Sequence, residues 1–150
     1  MQPFTLSSIP EIHFGPGRLA DLGGKAVTLA GQGGHVLVVA DPALAALGIT
    51  ARAVESLAQA GFATSVYDAL KGEPKQSDID SAADMAREAK SSLIVGLGGG
   101  SALDTAKLVA CCAVSGQSAA AYALCATPLP AQPLPIIAVP TTAGTGSETT

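Results

Sequence analysis

Leu93-Ile94-Val95-Gly96-Leu97-Gly98-Gly99-Gly100-Ser101 decides the fold. The run Leu93–Leu97 has no polar alternation, so it reads as a strand covered on both faces, as in a parallel sheet. Three glycines end it. Ser101-x-x-Asp104 then opens a helix that runs to about Val114. Ligands of open α/β sheets bind beyond the carboxyl ends of the strands, where helix N-termini also point. A helix start offers unpaired N–H groups and a partial positive charge, and glycine lets a phosphate approach the backbone. The Gly98–Ser101 turn is therefore suited to a pyrophosphate; a glycine turn without a ligand is the plain alternative.

Outward from this unit the same rhythm continues. Upstream, Ile12–Gly15 is a short extended piece, and Arg18 to about Leu29 is a helix that stops before Gly31. Val36–Ala40 is a second apolar strand, ending at Asp41-Pro42. Thr50 is placed as the cap of a helix whose inner stripe is Val54, Leu57 and Ala58, with Gly61 as its stop. Ala63–Tyr67 is a strand and Gly72-Glu73-Pro74 a turn. Ser77-x-x-Asp80 is placed as a capping box before a helix buried through Ile79, Ala82, Ala83 and Ala86. Downstream, Thr127–Pro135 holds four of the ten prolines and must be a loop. Ile136–Val139 is the last strand. Together these predict an α/β domain over 1–150: an open, mostly parallel, Rossmann-like sheet with helices on both faces. Val36–Ala40, Leu93–Leu97 and Ile136–Val139 are expected among its central strands.

Composition narrows the function. Charged residues are 13% of the chain and hydrophobic residues 48%, which excludes a disordered chain. The eight Lys and Arg are scattered and the net charge is −4, so no nucleic-acid footprint exists. Apolar runs fall far short of the roughly 20 residues of a membrane span. Met1-Gln2-Pro3-Phe4 carries no export signal, so a cytoplasmic location is expected. Three cysteines, Cys111, Cys112 and Cys125, make neither a disulfide framework nor, with His13 and His35, a four-ligand zinc site. They are expected to be buried or half-buried thiols.

Gly96-x-Gly98-x-x-Ser101 has the outline of a dinucleotide fingerprint, but it follows a late strand. The acidic residue due about 20 positions later is also missing, since no Asp or Glu separates Asp104 from Glu148. A more specific pattern lies further on. Pro140-Thr141-Thr142-Ala143-Gly144-Thr145-Gly146-Ser147-Glu148, taken with Gly98-Gly99-Gly100-Ser101-x-x-Asp104-x-x-Lys107, resembles the iron-containing (group III) alcohol dehydrogenases. Glycerol dehydrogenases and maleylacetate reductases are related to them. The opening Ile12-x-Phe14-Gly15-x-Gly17, followed by Leu22, is similar too, so the resemblance covers nearly the whole chain.

That resemblance implies an NAD- and metal-dependent dehydrogenase that moves a hydride between a nicotinamide cofactor and a small alcohol or aldehyde. Gly98, Gly99, Gly100 and Ser101 are implied to hold the pyrophosphate and Asp104 to lie near the nicotinamide end. Thr141, Thr142 and Thr145 would line the groove, and Asp41 would bind the adenosine ribose, favouring NAD over NADP. Beside these roles stand local ones. Asp104 can be the acid of a capping box, Lys107 can lie along the helix, and Asp41 can simply start a turn. One departure is Gly72-Glu73-Pro74, where family members often carry Pro-Asn-Pro; Glu73 brings a negative charge to the adenine side. The family's metal, iron or zinc, is held by one aspartate and three histidines of a C-terminal helical domain. That domain is expected to be absent from these 150 residues, leaving no catalytic or metal residue here, an exposed apolar face and a tendency to form homo-oligomers. Two other readings remain open: a lyase similar to 3-dehydroquinate synthase, which also uses NAD, and a non-catalytic nucleotide-binding module.

Overall fold

The computed structural model describes residues 10–149. Of the readings above, that no export signal is carried by residues 1–4 falls outside the described residues. Strands β1 (His35–Ala40), β2 (Ala63–Tyr67), β3 (Ser91–Gly98) and β4 (Ile136–Pro140) form one sheet. Its order is β2-β1-β3-β4, and every neighbouring pair is parallel. Helices α1 (Leu22–Ala30), α2 (Ala43–Ala46), α3 (Ile49–Gln59), α4 (Gln76–Glu88) and α5 (Gly100–Ser115) connect and cover it.

Strand alternation sorts the core into two halves. Val36, Val38 and Ala40 of β1 and Leu93, Val95 and Leu97 of β3 pack with Leu22, Ala26, Ala53 and Leu57 of α1 and α3. Leu37, Val39 and Ile94 face the other way, onto Ile79, Ala82, Ala83 and Ala86 of α4 and Ala102, Ala106 and Val109 of α5. All six of those β1 and β3 residues on the first face are fully buried, as the unalternating apolar runs require. The small residues of α5 let it lie close on the sheet. A Cβ on Gly96 would stand 2.9 Å from the Ala106 Cβ, so this contact admits only glycine.

Several local expectations are corrected. Gly48, in the left-handed region, precedes α3, which already includes Thr50; Thr50 is buried inside the first turn and its hydroxyl has no hydrogen-bond partner. The buried stripe of α3 is Thr50, Ala53 and Leu57, one step round from the Val54-Leu57-Ala58 stripe. Helix α4 starts at Gln76, so its carboxylate cap is not Ser77-x-x-Asp80. Asp78 instead accepts the Lys75 N–H at 3.1 Å. Asp80, one turn on, reaches away to residues 118 and 119. A 3-10 helix over Ala119–Cys125, kinked at Ala123 and Leu124, occupies a stretch with no periodic signal. Cys111 and Cys112 are buried, but Cys125 is exposed.

Strand β4 was expected among the central strands and is an edge of the sheet as described. Ile136 to Val139 are half-buried, with Ile136 against one core half and Ile137 and Val139 against the other. An apolar run reports cover on the faces of a strand; it carries no information about whether a neighbour pairs along its edge. Among the described residues no single helix is long and apolar enough to cross a membrane.

Candidate functional site

The chain leaves β1 for β2 on one side and returns to β3 on the other. The carboxyl ends of β1 and β3 are therefore the point where strand order reverses, the crevice in which open α/β sheets bind ligands. Asp41 follows β1 there and Gly98-Gly99 ends β3. The Asp41 N–H donates to the Leu97 carbonyl at 2.9 Å, extending the ladder one residue past β1. Its carboxylate Oδ1 accepts the Ala43 N–H at 2.9 Å, so the local turn role is real. A carboxylate has about four acceptor positions, and this turn orients the group without exhausting it. A cleft of about 410 Å³ opens beside it, lined by Asp41, Glu73, Gly99, Ser101 and Ala102 among others.

Helix α5 begins on this crevice. Gly99 is its N-cap, with extended backbone, and its carbonyl accepts from Ala102 and Leu103 at 3.0 and 3.2 Å. The amides of Gly100 and Ser101 precede these first bonds, in the position of the unpaired donors of a helix start. Ser101 is thus the second residue of the helix, exposed at the cleft, rather than its cap. Asp104 correspondingly lies beyond the reach of a capping box. Its carboxylate accepts the Ser147 hydroxyl at 3.1 Å and meets Lys107 Nζ at 3.4 Å.

Residues 141–149 fold over the start of α5. Thr141 N–H donates to the Gly98 carbonyl at 2.9 Å, continuing the pairing of β4 with β3. Thr142 stands over Gly99, where an added Cβ would meet its Oγ1 at 3.1 Å. Thr145 and Ser147 stand over Gly100, at 3.3 and 3.0 Å from where its Cβ would be. The glycines thus make room for this loop as well as for any ligand. Thr141, Thr142 and Thr145 are exposed, while Ser147 is buried. Every candidate cofactor residue accordingly lies around one helix start. Asp41, Gly99 and Ser101 are on the cleft side, and Gly100, Asp104 and Thr145 are under or in the loop. Ser147 was not among the candidates: its partner lies 43 residues upstream, a separation no periodicity reveals.

The two histidines lie elsewhere. His35 begins β1 at the opposite end of the sheet, its ring between the hydroxyls of Ser91 and Ser65 at 2.8 and 3.0 Å, and burial lowers its pKa. His13 contacts Glu11. Among the described residues no group of three or more His, Cys, Asp or Glu is placed to hold a metal ion. The donor set present does not fit one.

Comparison with known proteins places this arrangement. A family model described as iron-containing alcohol dehydrogenase matches residues 10–150. The chain is similar to long-chain-alcohol dehydrogenase 1 of Geobacillus thermodenitrificans, 41% identical over 143 residues, covering 94% of this chain and 36% of that protein. It is 38% identical over 146 residues to the probable alcohol dehydrogenase EutG of Escherichia coli, covering 97% of this chain and 36% of that one. The chain therefore spans little more than a third of the length of these relatives. Among solved structures it is similar to sulfoacetaldehyde reductase from Bifidobacterium kashiwanohense in complex with NAD+, with a TM-score of 0.89 and 29% identity over 100% of this chain and 39% of that one. NADH-dependent butanol dehydrogenase A from Thermotoga maritima gives a TM-score of 0.90 and 27% identity over 99% and 37%. With two separated motifs, the sheet order and a family match over nearly its whole length in agreement, the chain belongs to the iron-containing alcohol dehydrogenase family.

Proposed function

We propose that this chain supplies the nicotinamide-cofactor half of a metal-dependent alcohol dehydrogenase acting on a small alcohol or aldehyde. The observation that carries the reading is the start of α5 at the strand-order reversal, with Gly99 and Ser101 lining the cleft and Asp41 beside them. In this reading the Gly100 and Ser101 amides, with Gly98 and Gly99 keeping side chains out of the way, bind the diphosphate. Asp41 accepts from the adenosine ribose. Thr141, Thr142 and Thr145 line the groove, and Asp104 lies toward the nicotinamide. The cofactor, when bound, takes up or delivers the hydride.

Among the described residues no group of three or more His, Cys, Asp or Glu is placed to hold a metal ion; in this reading the metal, iron or zinc, is held by residues outside them. The named relatives are alcohol dehydrogenases and reductases, which supports an alcohol or aldehyde as substrate. A cytoplasmic, oligomeric protein is part of the same reading. Exposed Ile12, Phe14, Leu124 and Leu129 supply apolar surface for association.

Calorimetric titration with NAD+, ADP-ribose and adenosine tests the cofactor assignment. Diphosphate binding on the helix start predicts similar affinities for NAD+ and ADP-ribose and a loss of at least about tenfold for adenosine, since each charge-assisted hydrogen bond contributes roughly 1.5–3 kcal/mol. No saturable binding of NAD+, or adenosine binding as tightly as ADP-ribose, overturns it.

A further inference from the structure

We propose that the Ser147–Asp104 hydrogen bond is the latch that holds the 141–147 loop over the glycine turn, making Ser147 a positioning residue for the nucleotide groove. The inference rests on the cofactor reading for its consequence, but the latch itself rests on geometry. The loop is fastened at its two ends by different means. Its start is held by backbone: Thr141 N–H to the Gly98 carbonyl at 2.9 Å, in line with β4. Its far end is held to α5 by a side chain, the Ser147 hydroxyl donating to Asp104 Oδ2 at 3.1 Å. Between them Gly144 and Gly146 have φ of 89° and 73°, a conformation glycine adopts without strain.

Ser147 is 7% exposed although it belongs to an otherwise open loop. Its N–H donates to Thr145 Oγ1 at 3.3 Å, so the latch also orients the threonine that stands over Gly100. Among the described residues, the Thr149 hydroxyl on the Gly146 carbonyl at 3.0 Å stays within the loop and shapes its turn. Asp104 also meets Lys107 through its other oxygen, Oδ1, which keeps Oδ2 aimed at the loop.

Hydrogen exchange of the 150-residue chain reads the latch directly. Ser147→Ala and Asp104→Ala are each expected to speed exchange of the 141–147 amides by about tenfold, the value of one hydrogen bond to a charged group. The double variant should be no faster than either single one, and Asp104→Asn, whose amide oxygen still accepts from Ser147 in a neutral, weaker hydrogen bond, should fall between the parent and Asp104→Ala. Amides of β1 and β3 serve as the folding control and should not change. Unchanged loop exchange in Ser147→Ala, or additive effects in the double variant, overturns the latch. NADH affinity is measured on the same proteins. A parallel loss supports the positioning role. Faster loop exchange with unaltered NADH affinity overturns that role while leaving the latch, and failure of the parent to bind NADH counts against the cofactor reading alone.

Discussion

Asp41 and Gly98 face each other at closest approach across the ends of β1 and β3. A Cβ built on Gly98 would stand 2.9 Å from the Asp41 Cβ and 3.4 Å from its backbone nitrogen, and 2.9 Å from the Ala102 Cβ. Gly98 also has φ of 150°, which side-chain-bearing residues rarely adopt. The residue that ends β3 is thus constrained from three directions: by the acid at the cleft, by the first turn of α5 and by its own backbone.

Gly98→Ala should therefore cost stability as well as ligand binding. Strain and overpacking each contribute about 1–3 kcal/mol, so a loss of about 2 kcal/mol or more is expected in urea unfolding. Gly24→Ala is the control: it lies in α1 with nothing within 4 Å of its added Cβ. That change should be neutral or stabilising by up to about 1 kcal/mol. Equal effects at the two positions would contradict the packing account.

Asp80 ties α4 to the chain after α5. Burial pushes its carboxyl up. The Ala119 N–H at 2.7 Å, the Ser118 hydroxyl at 2.8 Å and the Gln76 amide at 3.3 Å, with Arg87 adding attraction, outweigh that and hold its pKa below the ordinary 3.8. A depressed folded-state pKa contributes stability that is present above the unfolded value and disappears as pH falls through the folded one. Asp80→Ala should lower stability by about 1–3 kcal/mol at pH 7. The difference between variant and parent should narrow as pH drops below 3.8. Parallel curves of stability against pH for the two proteins would refute the assignment.

The two halves of the core were legible because Leu37, Val39, Ile94 and their neighbours lie in unbroken apolar runs, and Ile79, Ala82, Ala83 and Ala86 recur with helical spacing. Helix starts were read less well. Ser77 and Ser101 are residue types that cap helices, yet the caps of α4 and α5 are Lys75 and Gly99, two residues earlier. Gly99 stands at the cap of α5 with Thr142 leaving little room for a side chain there, a long-range contact invisible to local propensity. The site followed the same division. Asp41 and the glycines are candidates from their places at strand ends and from the family resemblance, whereas the Ser147 contact with Asp104 forms only when the last loop folds back onto α5.

Thiol chemistry should separate the cysteines. Burial pushes the Cys111 thiol up and the Cys112 thiol, 0% exposed, up to about 11, with Asp80 and Cys111 adding to the second. The thiolate is the reactive form, so at pH 8 both should be inert in the folded protein. Exposed Cys125 should react. A chromogenic disulfide reagent is expected to titrate one thiol per native chain and three after denaturation. Rapid reaction of two or more native thiols would contradict the burial of Cys111 and Cys112.

Cofactor choice follows from the charges lining the cleft. Asp41 and Glu73 both border it, and its lining includes no Lys or Arg. A ribose offers hydroxyl donors to Asp41, whereas the 2′-phosphate of NADP brings like charge toward two carboxylates. Losing charge-assisted hydrogen bonds worth roughly 1.5–3 kcal/mol, with repulsion added, should favour NAD by about tenfold to a hundredfold or more. The turn role of Asp41 can be kept while its charge is removed, because an Asn oxygen can still accept the Ala43 N–H that Oδ1 now accepts at 2.9 Å. Asp41→Asn should thus preserve the fold and shift preference toward NADP; Asp41→Gly should shift it further and loosen the turn. Glu73→Gln should raise NADP affinity by a smaller factor, since this glutamate is exposed and better screened. Titration of the parent and the three variants with both cofactors checks the whole set. Equal affinities in the parent, or variants whose preference does not move, would leave Asp41 as a turn residue only.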